Sequence, residues 1–406
     1  LESLSHITGC EHRKKWQLYN RSGDSRFSPE STSNTSSVMA VHSIAYRIFP
    51  ASACPPALLH LSPAGHLCEV DTDQVGLSAL SEIIQTAPGS NPLPLLFDEL
   101  LSPGTAQLVW KGSGPGRGVE IRRAFSGLFG RFFARAYLER YYGFTWFSPI
   151  SGSPYNLSNR LRVVRQPGRE FDLPDWIMAG PGVLAIGEAK GSHAKGPAPT
   201  SGLPGPLRTA YEQISRVWVQ KVDPAGVWVN RQVKGWGVMS RWGVESPARR
   251  AYHCVLDPDT EGEPLSGEEL EEAIQDVARS HVALLLDGLG RPDLVDKRAS
   301  PGFSPQQVSA TIEGLGERTF IGGIVNNFGF LPMSIDDARA VQASLPERLR
   351  PTVRFLGLET DVVEQYRSGS VIKAQPFRID ASGPSLSSDG MMLAPLERID
   401  PVPSTI

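Results

Sequence analysis

The chain has 406 residues, 40% of them hydrophobic, with 40 Lys plus Arg against 43 Asp plus Glu and a formal net charge of -3. That length exceeds what one core usually supports, so two or three domains are expected, and the composition excludes a peptide, a fibre, a disulfide-stapled miniprotein and a wholly disordered chain. The charge is unevenly spread: from Lys111 to Arg250, 21 Lys or Arg face 9 Asp or Glu, a local balance of +12 that leaves -15 for the flanks.

Residues 1–38 include the polar tract "NRSGDSRFSPESTSNTSS" and are expected to form a disordered tail, with ordered structure starting near Met39. The alternating runs "AVHSIAYRIF" (Ala40 to Phe49) and "HLCEVDTD" (His66 to Asp73) predict strands, and "SALSEIIQTA" and "PLPLLFDELL" short helices, together a small acidic α/β domain over 39–110. The glycine-rich "KGSGPGRG" (Lys111 to Gly118) reads as a linker. Apolar residues at helical spacing with arginines between them predict a long helix from Glu120 to Tyr142. "EFDLPDWIMA" and "VLAIGEAKG", separated by Gly180-Pro181-Gly182, predict a β-hairpin. A helix is predicted over Pro206 to Val222, then strands in "GWGVMSRWGV" and "AYHCVLD". Ser266 and Glu269 form a capping box before a further helix, and a C-terminal α/β domain (256–406) alternates strands ("RTFIGGIV", "PTVRFLG") with the helix "LETDVVEQYRSG". Four widely spaced cysteines with no CxxC pair indicate neither zinc nor a disulfide framework, and no apolar run approaches the roughly 20 residues of a bilayer span. A reducing, cytoplasmic setting without membrane contact is expected.

The hairpin carries the chemistry. Side chains alternate faces along a strand, so Glu188 and Lys190 share one face while Ala189 turns to the core. A turn at Gly180-Pro181-Gly182 brings Asp175 opposite Glu188. Two converging carboxylates suit a hard divalent cation such as Mg2+ or Mn2+, and Lys190 beside them suits proton transfer or a phosphate's charge. Pro174-Asp175, twelve intervening residues and Glu188-Ala189-Lys190 resemble the PD-(D/E)XK nuclease superfamily, also called restriction-endonuclease-like, over about residues 119–245. The resemblance implies an α/β fold with a central αβββαβ core, here within a domain at 111–255 flanked by smaller α/β domains. It also implies metal-dependent hydrolysis of nucleic-acid phosphodiesters, probed first on DNA, in restriction, repair or phage defence. Asp175 and Glu188 become metal ligands, the Ala189 carbonyl a third, and Lys190 the catalytic lysine. Lys190 is the chain's only lysine with an acid two positions earlier, and the motif lies inside the basic segment that nucleic-acid binding needs.

Two other readings fit the same residues: a solvated Glu188–Lys190 pair with Asp175 capping a turn, or an inactive nuclease fold serving as a nucleic-acid-binding or assembly module. No acid stands at the middle of the first helix, where many relatives carry one, which puts a second metal in doubt. Arg131 and Arg135, four apart on that helix, and Gln213 on the helix after the motif are candidate nucleic-acid contacts. Asp172 substitutes for Asp175 only with a bulge, and His193 is a weaker proton-transfer candidate. The tryptophans between Trp110 and Trp242 serve either as base-stacking groups or as core. The acidic flanks offer surfaces for a protein partner, and self-association is left open.

Overall fold

The computed structural model describes residues 41–59, 67–86, 108–114, 118–168, 171–193, 202–245, 248–300, 305–326, 329–346, 353–380 and 382–403. Seven strands form its central sheet: β1 (Val41–Phe49), β2 (Leu67–Asp71), β3 (Trp146–Pro149), β4 (Trp176–Gly180), β5 (Val183–Ser192), β6 (Lys234–Arg241) and β7 (Tyr252–Leu256). Their spatial order is β2-β1-β7-β6-β5-β4-β3. β5 and β6 run parallel, as do β1 and β7, and the other neighbours are antiparallel. The chain is therefore α/β with a mixed sheet.

Three helices frame this sheet: α1 (Thr72–Thr86), α2 (Val119–Tyr142) and α3 (Gly205–Ile214). The Asp71 carboxylate accepts the amides of Asp73 and Gln74 at 2.9 and 3.3 Å, so α1 starts six residues before the predicted "SALSEIIQTA". Helix α2 ends where Gly143 takes a φ of 71°, a left-handed turn that glycine adopts without strain. Along β6, Val238 packs with the aromatic side of α2 while its neighbour Met239 packs with Leu207 and Ala210 of α3. The two-residue period of a strand thus separates α2 and α3 onto opposite faces of the sheet.

Beyond the central sheet, α4 (Gly267–Gly288) opens on the predicted capping box, with Ser266 and Glu269 exchanging bonds. A second seven-stranded sheet follows, built on β8 (Gln306–Ile312), β9 (Gly316–Asn326), β10 (Arg354–Glu359) and β11 (Met391–Pro395), with α5 (Ile335–Ser344) and α6 (Thr360–Ser368). The pairings of these four strands are antiparallel.

Two expectations need correction. The helix predicted over Pro206 to Val222 stops at Ile214, and Val217–Val222 is a strand paired with Leu161–Arg165. Its alternation of buried Val217, Val219 and Lys221 with half-buried neighbours is a strand pattern that the preceding helix masked. Nor is there a division near residue 110: β1 and β2 belong to the central sheet, and residues 38–406 form one compact unit. One apolar cluster joins Leu80 of α1, Ile177 and Ile186 of the hairpin, Val282 of α4 and Leu356 of β10. Burying those faces against one another welds the expected flanking domains to the centre. The tail at 1–38, the predicted helix "PLPLLFDELL" and most of the Pro- and Gly-rich loop after Ser192 lie outside the described residues.

Candidate active site

The hairpin register pairs Trp176 with Gly187 and Gly180 with Val183, so the next step along it brings Asp175 to Glu188. Their backbones and side chains then bond reciprocally. The Asp175 amide donates to Glu188 Oε2 at 3.0 Å, and the Ala189 amide donates to Asp175 Oδ2 at 2.7 Å. Each carboxylate is pinned by one oxygen to a backbone N–H, and the other oxygen is held by a side-chain cation. Arg131 of α2 bonds Asp175 Oδ1, and Lys190 Nζ bonds Glu188 Oε1.

Lys190 Nζ also donates to Gln213 Oε1 at 2.5 Å, and Gln213 Nε2 donates to the carbonyls of Asp172 and Leu173 at 3.3 and 3.4 Å. Gln213, buried on α3, therefore ties the lysine to the segment that leads into Asp175. Ala189 turns to the opposite side and packs against the core under α2. The structure thus gathers Asp175, Glu188, Ala189, Lys190, Gln213 and Arg131 at one end of the hairpin.

Close packing fixes this end of β5 against α2. A Cβ on Gly191 would lie 1.5 Å from the Ser126 carbonyl oxygen, and one on Gly130 would lie 2.5 Å from the Gly191 nitrogen. Only two glycines let the helix and strand backbones approach this far, one residue beyond Lys190.

Other candidates sit elsewhere. Arg135 is fully buried: it bonds Glu139 at 2.9 Å, Gln85 at 2.8 Å, Glu82 at 3.4 Å and Asp389 at 3.2 Å. It cannot meet a phosphate, which corrects its assignment as a nucleic-acid contact. α2 is not a one-sided surface helix, because Glu82 and Gln85 of α1 cover the side on which Arg131 and Arg135 stand. Asp172 is exposed and contributes its carbonyl, not its carboxylate, to Gln213. His193 Nδ1 lies 2.9 Å from Ser126 Oγ, outside the bonds that join the carboxylates. Trp110, Trp146, Trp176, Trp236 and Trp242 are buried, and Trp228 lies under the Arg162 guanidinium at 4.0 Å, so these tryptophans serve mainly as core.

Glu82 of α1 belongs to this network of bonds, and sequence reasoning missed it. Buried to 1% side-chain exposure, it accepts Arg131 Nε at 2.7 Å and Trp176 Nε1 at 2.9 Å as well as Arg135. Its signal was an acid among the apolar residues of "ALSEIIQ", where a solvated carboxylate has no place.

The electrostatics follow from burial. Glu188 is pushed up to about 8, first by burial and then by the Asp175 charge, against the pull of Lys190. Burial also raises Asp175, opposed by Arg131 and the Ala189 amide. For Glu82 burial acts upward, but Arg131 and Arg135 outweigh it and hold the carboxyl below its usual range. Glu139 rises to about 7 through burial, countered by Arg135 and reinforced by Asp389. With burial holding His281 neutral, five carboxylates (Glu82, Glu139, Asp175, Glu188, Asp389) share three side-chain cations (Arg131, Arg135, Lys190), and the raised Glu188 and Glu139 carboxyls answer that imbalance by holding protons.

Among the described residues no group of three or more His, Cys, Asp or Glu side chains is gathered for a metal. Two carboxylates with backbone carbonyl and water are nonetheless a donor set that Mg2+ accepts. No protein-family model, no curated protein and no solved structure matches this chain. Among the described residues no helix is long and apolar enough to cross a membrane.

Proposed function

We propose that this protein is a metal-dependent phosphodiester hydrolase of the PD-(D/E)XK type, acting on nucleic acid with DNA the first substrate to test. The observation that carries the reading is the meeting of Asp175, Glu188 and Lys190 at one end of the β4–β5 hairpin, with Gln213 bonded to the lysine. Element order adds support: α2, β3, β4, β5, α3 and β6 come in chain order as helix, three antiparallel strands, helix, and a strand parallel to the last of the three, with strands of another sheet inserted between β3 and β4 (Tyr155–Asn156, Leu161–Arg165) and between α3 and β6 (Val217–Val222, Trp228–Gln232). With those insertions set aside, the order supports the αβββαβ core that the sequence resemblance implies.

In this reading Asp175 and Glu188 would hold Mg2+ or Mn2+, with the Ala189 carbonyl as the further ligand named by the resemblance. A bound ion supplies Lewis-acid stabilisation of charge building on the phosphoryl oxygens. Lys190 sets an ammonium beside the reacting group, where it donates hydrogen bonds to the attacking water or to phosphate oxygens. Gln213 orients that ammonium, and the Glu188–Asp175 backbone bonds fix the carboxylate spacing. Uncatalysed phosphodiester hydrolysis demands a barrier reduction on the order of 20 kcal/mol, so ion and lysine must act together. The basic balance of residues 111–250 supports a polyanionic substrate.

A second reading, a nuclease fold without catalysis that binds nucleic acid or a partner, is favoured by one observation: Asp175 and Glu188 are each already paired with a side-chain cation. The test is cleavage of supercoiled DNA, linear duplex, single-stranded DNA and RNA with Mg2+, Mn2+ or chelator. Metal-dependent cutting of one substrate is expected. Binding without cutting on all four would favour the second reading.

A further inference from the structure

Arg131 and Arg135 are one helical turn apart on α2 and share Glu82, yet they differ in freedom. Arg135 is fully buried and spends its guanidinium on Glu82, Gln85, Glu139 and Asp389. The Arg131 side chain keeps 24% of its surface exposed and divides itself between Glu82 and Asp175, with its guanidinium 4.8 Å from the Trp176 ring. Asp175 itself stays put without it, because the Ala189 amide holds Oδ2. Glu82 also stays put, because Trp176 Nε1 and Arg135 hold Oε2. The one joint free to open is Arg131 to Asp175 Oδ1, the oxygen that a divalent ion needs.

We infer that Arg131 is an exchangeable counter-ion of the Asp175–Glu188 pair: it neutralises Asp175 Oδ1 until a divalent cation takes that oxygen, and Glu82 is the residue that retains it afterwards. The inference rests on the proposed metal site and deepens it, giving the arginine that sequence reasoning placed on phosphate a positioning role on the carboxylates. Among the described residues, Glu188 is the one acid that Lys190 hydrogen-bonds or ion-pairs. Its other partner is the neutral Gln213, so it remains at the site when the ion arrives.

The test is a calorimetric Mn2+ titration of the full chain, comparing wild type with Arg131→Met, Glu82→Gln and the double variant. Removing the competing charge should tighten Mn2+ binding by about tenfold or more, the order expected when a unit charge at hydrogen-bond distance stops competing. Structural damage alone would weaken it. Glu82→Gln should weaken binding, because Arg131 then has Asp175 as its only charged partner at this joint. In the double variant that loss should vanish, since no arginine remains to be retained. Where Arg131→Met does not fold, Arg131→Lys carries the comparison, with a smaller gain in the same direction. Wild type that binds Mn2+ while Arg131→Met binds equally or more weakly overturns the counter-ion role and leaves the metal site standing. Absence of Mn2+ binding in every protein overturns both. Binding by Arg131→Met alone supports both.

Discussion

Glu188 shows how one residue's burial sets the behaviour of the site. Its carboxyl moves from the ordinary 4.5 to about 8, so the folded protein holds a proton there that the unfolded chain releases. Stability from this shift is complete below the unfolded value and is lost as pH rises through about 8. The metal-free protein should therefore melt several degrees lower at pH 9 than at pH 6, and Glu188→Gln should remove the part of that fall that runs up to about 8 and levels off above it. Mg2+ stabilisation should grow over the same interval, because the ion binds the deprotonated pair. Calorimetric melting across this range, with and without Mg2+, checks both, and curves of equal slope for wild type and variant would contradict the account. The residues of this site were legible for a local reason. Asp175, Glu188 and Lys190 lie on one hairpin, where two-residue alternation and a Gly-Pro-Gly turn fix which side chains meet. Glu82 and Asp389 reach the same network from 93 residues before and 201 residues after Glu188's neighbourhood on the chain, counted from Asp175 and Glu188, and no local period announces them.

At the scale of elements, the contact between α2 and β5 decides where Lys190 stands. Gly191 meets the backbone of Ser126, not a flexible side chain, so an added methyl has no rotamer by which to escape. Gly191→Ala should push the helix from the strand and cost about 3 kcal/mol or more, at the upper end of overpacking penalties. Urea denaturation measures it, and a midpoint unchanged from wild type would show that the two elements are not in contact. The long helices and the hairpin were readable because their apolar spacing is strong: α2 and α4 occupy nearly the predicted spans. The strand after α3 was not readable in advance, since "RVWVQKV" continues an amphipathic run and only its pairing with Leu161–Arg165 makes it extended. Arg135 misled for a related reason. Its helical position matches that of a solvated arginine, and its burial comes from α1 and from Asp389 near β11.

For the whole molecule, a line of buried charge runs from the second sheet to the candidate site: Asp389 to Arg135, Arg135 to Glu82, Glu82 to Arg131, Arg131 to Asp175. Asp389 is held at about 2, where burial alone would raise it, by His281, Arg135 and Ser387. The expected acidic C-terminal domain is thus continuous with the candidate site through packed ions and a shared apolar cluster. Composition indicated the charge asymmetry between centre and flanks but carried no record of which flank residues would be drawn into the middle. The central claim is that this convergence makes a hydrolytic site that acts through Lys190. The measurement that tests it most directly is the Mn2+-dependent cleavage rate of Lys190→Ala against wild type on the substrate that wild type cuts. A loss on the order of 10³-fold or more, with nucleic-acid binding retained, is the result predicted for a group that acts in the transition state. A variant that cuts within about tenfold of wild type would contradict the account.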